Sequence, residues 1–153
     1  NLASRTISMV EHYRTGAVSA AQPDPVLAAD FAELRERVEQ RIDAAELTLA
    51  LEEIWQRVRR LNRYVEERAP WRLAREKDQA AELDVVLATL IEGLRTLGVL
   101  LWPYIPASAE RLLGALGVED VSLASAQLGA GVVSRVAPIE ALFPKEQAAA
   151  GPA

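Results

Sequence analysis

The sequence predicts an all-α fold: an antiparallel bundle of about five helices, closed by a short extended return segment at its C-terminal end. Three observations predict it. Ala, Leu, Glu and Arg dominate while aromatic residues make up only 5%, the palette of packed helices rather than of a sheet. Apolar residues recur at helical spacing through several long runs. The prolines fall at the boundaries of those runs, where a helix starts or stops. At 153 residues the chain has the length of one domain with a single sizeable core.

The first helix runs from Asn1 to about Tyr13, with Leu2, Met9, Val10 and Tyr13 on its apolar side, and closes at Arg14-Thr15-Gly16, where glycine supplies a left-handed residue. No start signal precedes it, so the natural chain is expected to extend before Asn1. After a loop carrying Pro23, Asp24 is placed to cap a second helix with Pro25 at its first position. Leu27, Phe31, Leu34, Val38 and Ile42 then form one stripe, predicting a single continuous helix. A break at Asp43–Glu46 leads to a third helix to about Glu67, with Leu47, Leu51, Ile54, Val58, Leu61 and Val65 inward and its arginines opposite. Ala69-Pro70-Trp71 interrupts it and opens a short turn to about Arg75.

A long helix up to about Leu101 is apolar over too wide an arc for a surface helix, and is expected to be central. Pro103 and Pro106 separate it from a last helix, Ala107 to Leu116, which stops at Gly117. From Val118 the periodicity dissolves into an extended, looped return through Pro138-Ile-Glu-Ala-Leu-Phe-Pro144. The domain is therefore expected to span residues 1–144, with 145–153 a disordered tail. Leu27, Phe31, Leu34, Ile54, Val58, Leu61, Leu90, Leu94 and Leu97 are expected to share one core.

A net charge of −5 excludes a protein that holds nucleic acid by a broad basic face. A local patch is compatible with it: Arg57, Arg59, Arg60 and Arg63 fall close together, with Arg68, Arg72, Arg75 and Lys77 following. The chain has no cysteine, hence no disulfide and no thiolate metal site, and it is read as cytoplasmic. No apolar run is long enough to span a bilayer, and no secretion signal opens the chain. His12 is the sole histidine, and no Glu-x-x-His pair of the di-iron type lies on the inward stripes, so no metal site and no catalytic residue is assigned.

Two constellations carry possible chemistry. Asn1 and Arg5 lie four apart and project from one helix face; an amide and a guanidinium together offer the donors and acceptors that read a base edge, although two polar residues at a helix start are equally well placed to be solvated. Trp71, presented by Pro70, is either a core plug, as tryptophans usually are, or an exposed platform on which a base stacks.

Several blocks, Asn1-Leu-Ala-Ser-Arg5, Asn62-Arg-Tyr-Val with Ala69-Pro-Trp71, Leu101-Trp-Pro-Tyr-Ile-Pro106 and Leu142-Phe-Pro144, resemble in order and rough spacing the helical anticodon-binding domain of the methionyl-tRNA synthetases, which are class I aminoacyl-tRNA synthetases. The resemblance covers residues 1–144. It implies that Trp71 stacks the first base of the CAU anticodon of tRNA-Met while Asn1 and Arg5 read its edge, and that Asn62, Tyr64 and Pro70 shape the bend that presents the tryptophan. It also implies a return segment docked along the bundle toward a catalytic half. Ala17-Val18 stands where bacterial members commonly carry a proline, and Lys145 replaces a frequent arginine; neither touches the base-reading set.

Neither ATP-handling signature of class I synthetases, His-Ile-Gly-His-like or Lys-Met-Ser-Lys-Ser-like, occurs in the sequence. The resemblance thus implies a methionine–tRNA ligase whose nucleotide-binding catalytic domain, with its ATP and Mg, is absent from this chain, and no cofactor is assigned to the chain itself. Expected partners are the tRNA-Met anticodon stem-loop and that catalytic domain, with no membrane. The anticodon domain of another class I synthetase and a helical protein-interaction module are the alternatives.

Overall fold

The computed structural model describes residues 2–144. The predicted tail at 145–153, Lys145 and Asn1 lie outside the described residues. The fold is all-α, with helices α1 (Leu2–Arg14), α2 (Pro25–Phe31), α3 (Leu34–Asp43), α4 (Leu47–Arg68), α5 (Pro70–Leu73), α6 (Ala80–Leu101) and α7 (Pro106–Ala115), plus 3₁₀ turns at Lys77–Gln79 and Leu123–Ser125.

The bundle is organised around α6, which is buried on all sides from Val86 to Leu100. The other helices pack onto it, except for α2 and α3, which lie mainly against α4. A Cβ added at Gly93 would lie 2.8 Å from Leu61, so the glycine lets α4 approach the central helix closely. Two apolar clusters result. Leu27, Phe31, Leu34, Ile54, Leu61, Leu90 and Leu97 meet on one side of α6, whereas Leu94 belongs with Ile7, Val10, Leu83, Leu87 and Ile91 on the other. The single expected core is thus split, because a helix buried all round serves two packing faces. Val58 sits at the edge of the first cluster.

The predicted second helix is broken. The chain turns at Ala32–Glu33, where Glu33 has φ −100° and ψ 0°, so that α2 and α3 both keep Leu27, Phe31, Leu34 and Val38 buried while Ile42 is left 38% exposed. Asp24 caps α2 as expected, accepting from the Val26 amide at 3.0 Å. Leu47, expected inward, is 56% exposed, because it is the first residue of α4; Ala50 and Tyr64 are buried instead.

The return segment contains no strand among the described residues. One antiparallel bridge joins Ala17 to Arg135, backed by hydrogen bonds from Val18 N to Ser134 O (2.9 Å) and Ala137 N to Ala115 O (2.8 Å). Upstream of it, the loop after the 3₁₀ turn is held to α6 by a buried charge pair. Arg95 donates to Glu92 (2.5 Å), to Ser125 O (2.7 Å) and to Gln127 O (2.7 Å), and Glu92 accepts from the amides of Gly129 (2.9 Å) and Gly131 (3.2 Å).

Candidate nucleic-acid interface

The chain bends sharply between α4 and α5, and the bend is fastened from below. Tyr64 is buried and donates from its hydroxyl to Asp24 at 3.0 Å. Burial, reinforced by the Asp24 charge, pushes that phenol well above its ordinary range, so it stays a donor. Arg68 pairs with Glu82 at the start of α6. Ala69 then takes a left-handed backbone, φ 44° and ψ 64°, which costs an alanine roughly 1–2 kcal/mol. The following proline disfavours right-handed helix at that residue. Pro70, buried at the first position of α5, starts the new turn that presents Trp71.

Tyr64 and Pro70 lie at the bend. Asn62 does not. It is exposed two turns earlier, donates to the Val58 carbonyl of its own helix at 3.1 Å, and lies on the wall of an open apolar groove of about 280 Å³ with Leu2, Trp55, Leu97 and Leu101.

Trp71 is half-buried, resting on the edge of the first cluster. It is both things the sequence left open, a partial plug with an accessible remainder. The guanidinium carbon of Arg5, from α1, stands 5.5 Å from the centre of its ring, within cation–π range. Arg5 Nη2 also donates to Glu66 Oε1 at 2.7 Å, both side chains being largely exposed at 45% and 62%. The structure therefore joins Arg5 and Trp71, which are far apart in sequence, and adds Glu66, which the sequence did not single out. Its signal was faint: Glu66 precedes Trp71 by five residues on the face of α4 turned toward α1.

A base inserted between ring and guanidinium would need two stacking layers, about 7 Å at 3.4 Å per layer. The 5.5 Å gap holds none. That face of the ring is open to a flat ligand only with Arg5 moved aside.

The arginine run of α4 is largely neutralised. Arg57 reaches Glu53 at 3.3 Å, Arg59 reaches Glu52 at 2.6 Å, and Arg60 holds Asp30 at 2.6 Å and Glu67 at 3.2 Å. Partial burial works against the Arg60 charge, but Asp30 and Glu67 outweigh it and raise its pKa further. His12 packs edge-on against Tyr13. Among the described residues no cluster of His, Cys, Asp or Glu is arranged to hold a metal ion, and no helix is long and apolar enough to cross a membrane.

Comparison with known proteins gives concordant results. A family model described as the anticodon binding domain of methionyl tRNA ligase matches residues 15–145. The chain is 34% identical over 152 residues to the methionine–tRNA ligase of Caldanaerobacter subterraneus subsp. tengcongensis, covering 95% of this chain and 24% of that protein. It is 36% identical over 152 residues to that of Clostridium tetani, with the same coverage. The apo form of Mycobacterium tuberculosis methionyl-tRNA synthetase superimposes with a TM-score of 0.83 at 31% identity, over 96% of this chain and 31% of that one. The same enzyme with bound methionyl-adenylate gives 0.85 at 30% identity, over 94% and 30%. The chain thus spans about a quarter of the length of the relatives it matches.

Proposed function

The chain belongs to the family of methionyl-tRNA ligase anticodon-binding domains, and from that premise we propose that Trp71, Arg5 and Asn1 recognise the first base of the CAU anticodon of tRNA-Met. The observation that carries this is the Arg5 guanidinium poised 5.5 Å from the Trp71 ring, on a bend whose left-handed alanine is backbone strain of the kind that clusters at working sites. Trp71 supplies the stacking face. Arg5, released from Glu66, donates to the acceptors on the cytosine edge, and Asn1, outside the described residues, supplies an amide able to donate and accept there.

In this reading the parent enzyme is a methionine–tRNA ligase working in the cytoplasm. Its catalytic portion, which uses ATP with Mg to activate methionine, lies elsewhere in the polypeptide, and this chain contributes tRNA selection rather than a catalytic group. The test is to titrate the chain with an RNA hairpin carrying CAU and with hairpins altered at the first anticodon base. The cytosine hairpin is expected to bind tighter by roughly 5- to 150-fold, the equivalent of about 1–3 kcal/mol. Equal affinity for all of them would sink the assignment.

A further inference from the structure

Every described arginine except Arg72, Arg75, Arg111 and Arg135 lies within ion-pair distance of a carboxylate. Arg135 is engaged with the Thr15 carbonyl at 3.4 Å. Lys77, the one described lysine, also makes no ion pair among the described residues. Two of the four exceptions, and that lysine, fall within six residues after Trp71, and Arg72, Arg75 and Lys77 are all exposed. Glu76 and Asp78 are interleaved with them, exposed and within ion-pair distance of none of the three.

The segment carrying these cations is hydrogen-bonded along its backbone. Consecutive turns close it from the bend onward: Ala74 N to Pro70 O at 2.9 Å, Arg75 N to Arg72 O at 3.1 Å, Glu76 N to Leu73 O at 3.2 Å and Gln79 N to Glu76 O at 3.0 Å. Leu73 anchors it by packing on both apolar clusters. Arg72 and Arg75, three apart across one such turn, are neighbours. Cations without an ion-pair partner on an ordered backbone suit a phosphate chain, since guanidinium groups bind phosphate in a forked geometry and ammonium groups bind it as point charges.

We propose that Arg72, Arg75 and Lys77 form a phosphate grip that holds the RNA backbone beside the base stacked on Trp71. The proposal rests on the anticodon reading above and adds to it a separate affinity element that is blind to sequence. It also reconciles an acidic chain with RNA binding: the α4 arginines stand beside carboxylates that offset their charge, whereas Arg72, Arg75 and Lys77 make no ion pair among the described residues and would attract the strand next to Trp71. Phosphate contacts fix register without reading bases, so grip and platform are expected to separate experimentally.

The test is the salt dependence of CAU-hairpin binding by the full chain, its R72Q/R75Q/K77Q variant and an R111Q control, each checked for unchanged helical signal and melting. Each single-strand phosphate contact contributes a slope of about −0.7 in log affinity against log salt. The triple variant is therefore expected to have a slope shallower by about 2, so that between about 50 and 200 mM salt the unaltered chain loses roughly 20-fold more affinity than the variant. Its preference for CAU over altered hairpins is expected to persist, and R111Q to behave like the unaltered chain. An unchanged slope in a chain that still discriminates CAU overturns the grip alone, as does an equal effect of R111Q, which would reduce it to net charge. Failure of the unaltered chain to bind any hairpin at low salt overturns the anticodon reading and the grip with it.

Discussion

The molecule uses the same chemical pair, an arginine and a glutamate, in two places with opposite consequences. In α6 the side chains of Arg95 and Glu92 are 2% and 8% exposed, and backbone groups of the 125–131 loop supply their remaining partners. At the bend, Arg5 and Glu66 meet at a similar distance, but each is about half open to water and the guanidinium also lies over the Trp71 ring. A buried pair cannot dissolve without stranding a charge, so it is architecture. An exposed pair exchanges partners at little cost and is therefore available to a ligand.

The largest effect is expected from breaking the buried pair. Arg95→Ala leaves Glu92 without its cation and frees the Ser125 and Gln127 carbonyls, and is expected to cost about 3–5 kcal/mol in a denaturant titration, with loss of hydrogen-exchange protection at the Gly129 and Gly131 amides. A cost below about 1 kcal/mol would show that water replaces the pair and that it is no more structural than a surface bridge. Next comes Gly131→Ala. A Cβ there would lie 2.1 Å from Arg95 Nε, and the guanidinium is held by Glu92 and by the Ser125 and Gln127 carbonyls, so it can yield only by straining those bonds. Overpacking of this kind is expected to cost about 1–3 kcal/mol; a neutral result in the same titration would mean that the loop is held less tightly than the hydrogen bonds imply.

The sequence carried one of these pairs more openly than the other. Glu92 and Arg95 interrupt an otherwise apolar helix three residues apart, a spacing that places both on one buried face, and the pattern was available but is easily passed over among so many leucines. Helix ends were readable wherever a proline or a glycine marks them, as at Pro25, Pro70, Pro106 and Gly16. The break at Ala32–Glu33 was not, because the spacing of Leu27, Phe31, Leu34 and Val38 is the same for a straight helix as for two helices that both face α4. The division of the core required knowing which elements flank α6. The contact of Arg5 with Trp71 joins residues 66 apart, so local pattern alone could nominate each residue but could not bring them together; the family resemblance did that. Which arginines are neutralised was equally hidden, since Asp30 reaches Arg60 across helices.

At the exposed pair the expected effects move from stability to binding. Trp71→Ala removes the proposed stacking face while cutting only the edge of the first cluster. Affinity for the CAU hairpin is expected to fall by about 5- to 150-fold, from a loss of roughly 1–3 kcal/mol, together with the preference for cytosine. Melting of the variant separates this from damage to the bundle: a large drop in stability with a proportionate loss of binding would make Trp71 a core residue whose exposure is incidental.

The smallest effect is expected from Glu66→Gln, and it bears most directly on what the exposed pair is for. The substitution keeps the size of the side chain and removes its charge, so Arg5 loses its ionic partner but keeps the Trp71 ring. A pair this exposed contributes about 0–1 kcal/mol, and stability is expected to change by no more than that. In the proposed mode the base occupies the ring only after Arg5 leaves Glu66, so weakening the pair lowers what binding must first undo. Affinity for the CAU hairpin is therefore expected to rise, by no more than about 5-fold, the equivalent of 1 kcal/mol. Removal of a negative charge near RNA also raises affinity non-specifically, so the measurement is repeated in an Arg5→Gln background. If the gain persists there undiminished, it is general electrostatics and the exchange of partners at Arg5 is wrong; if it vanishes, Glu66 acts through Arg5.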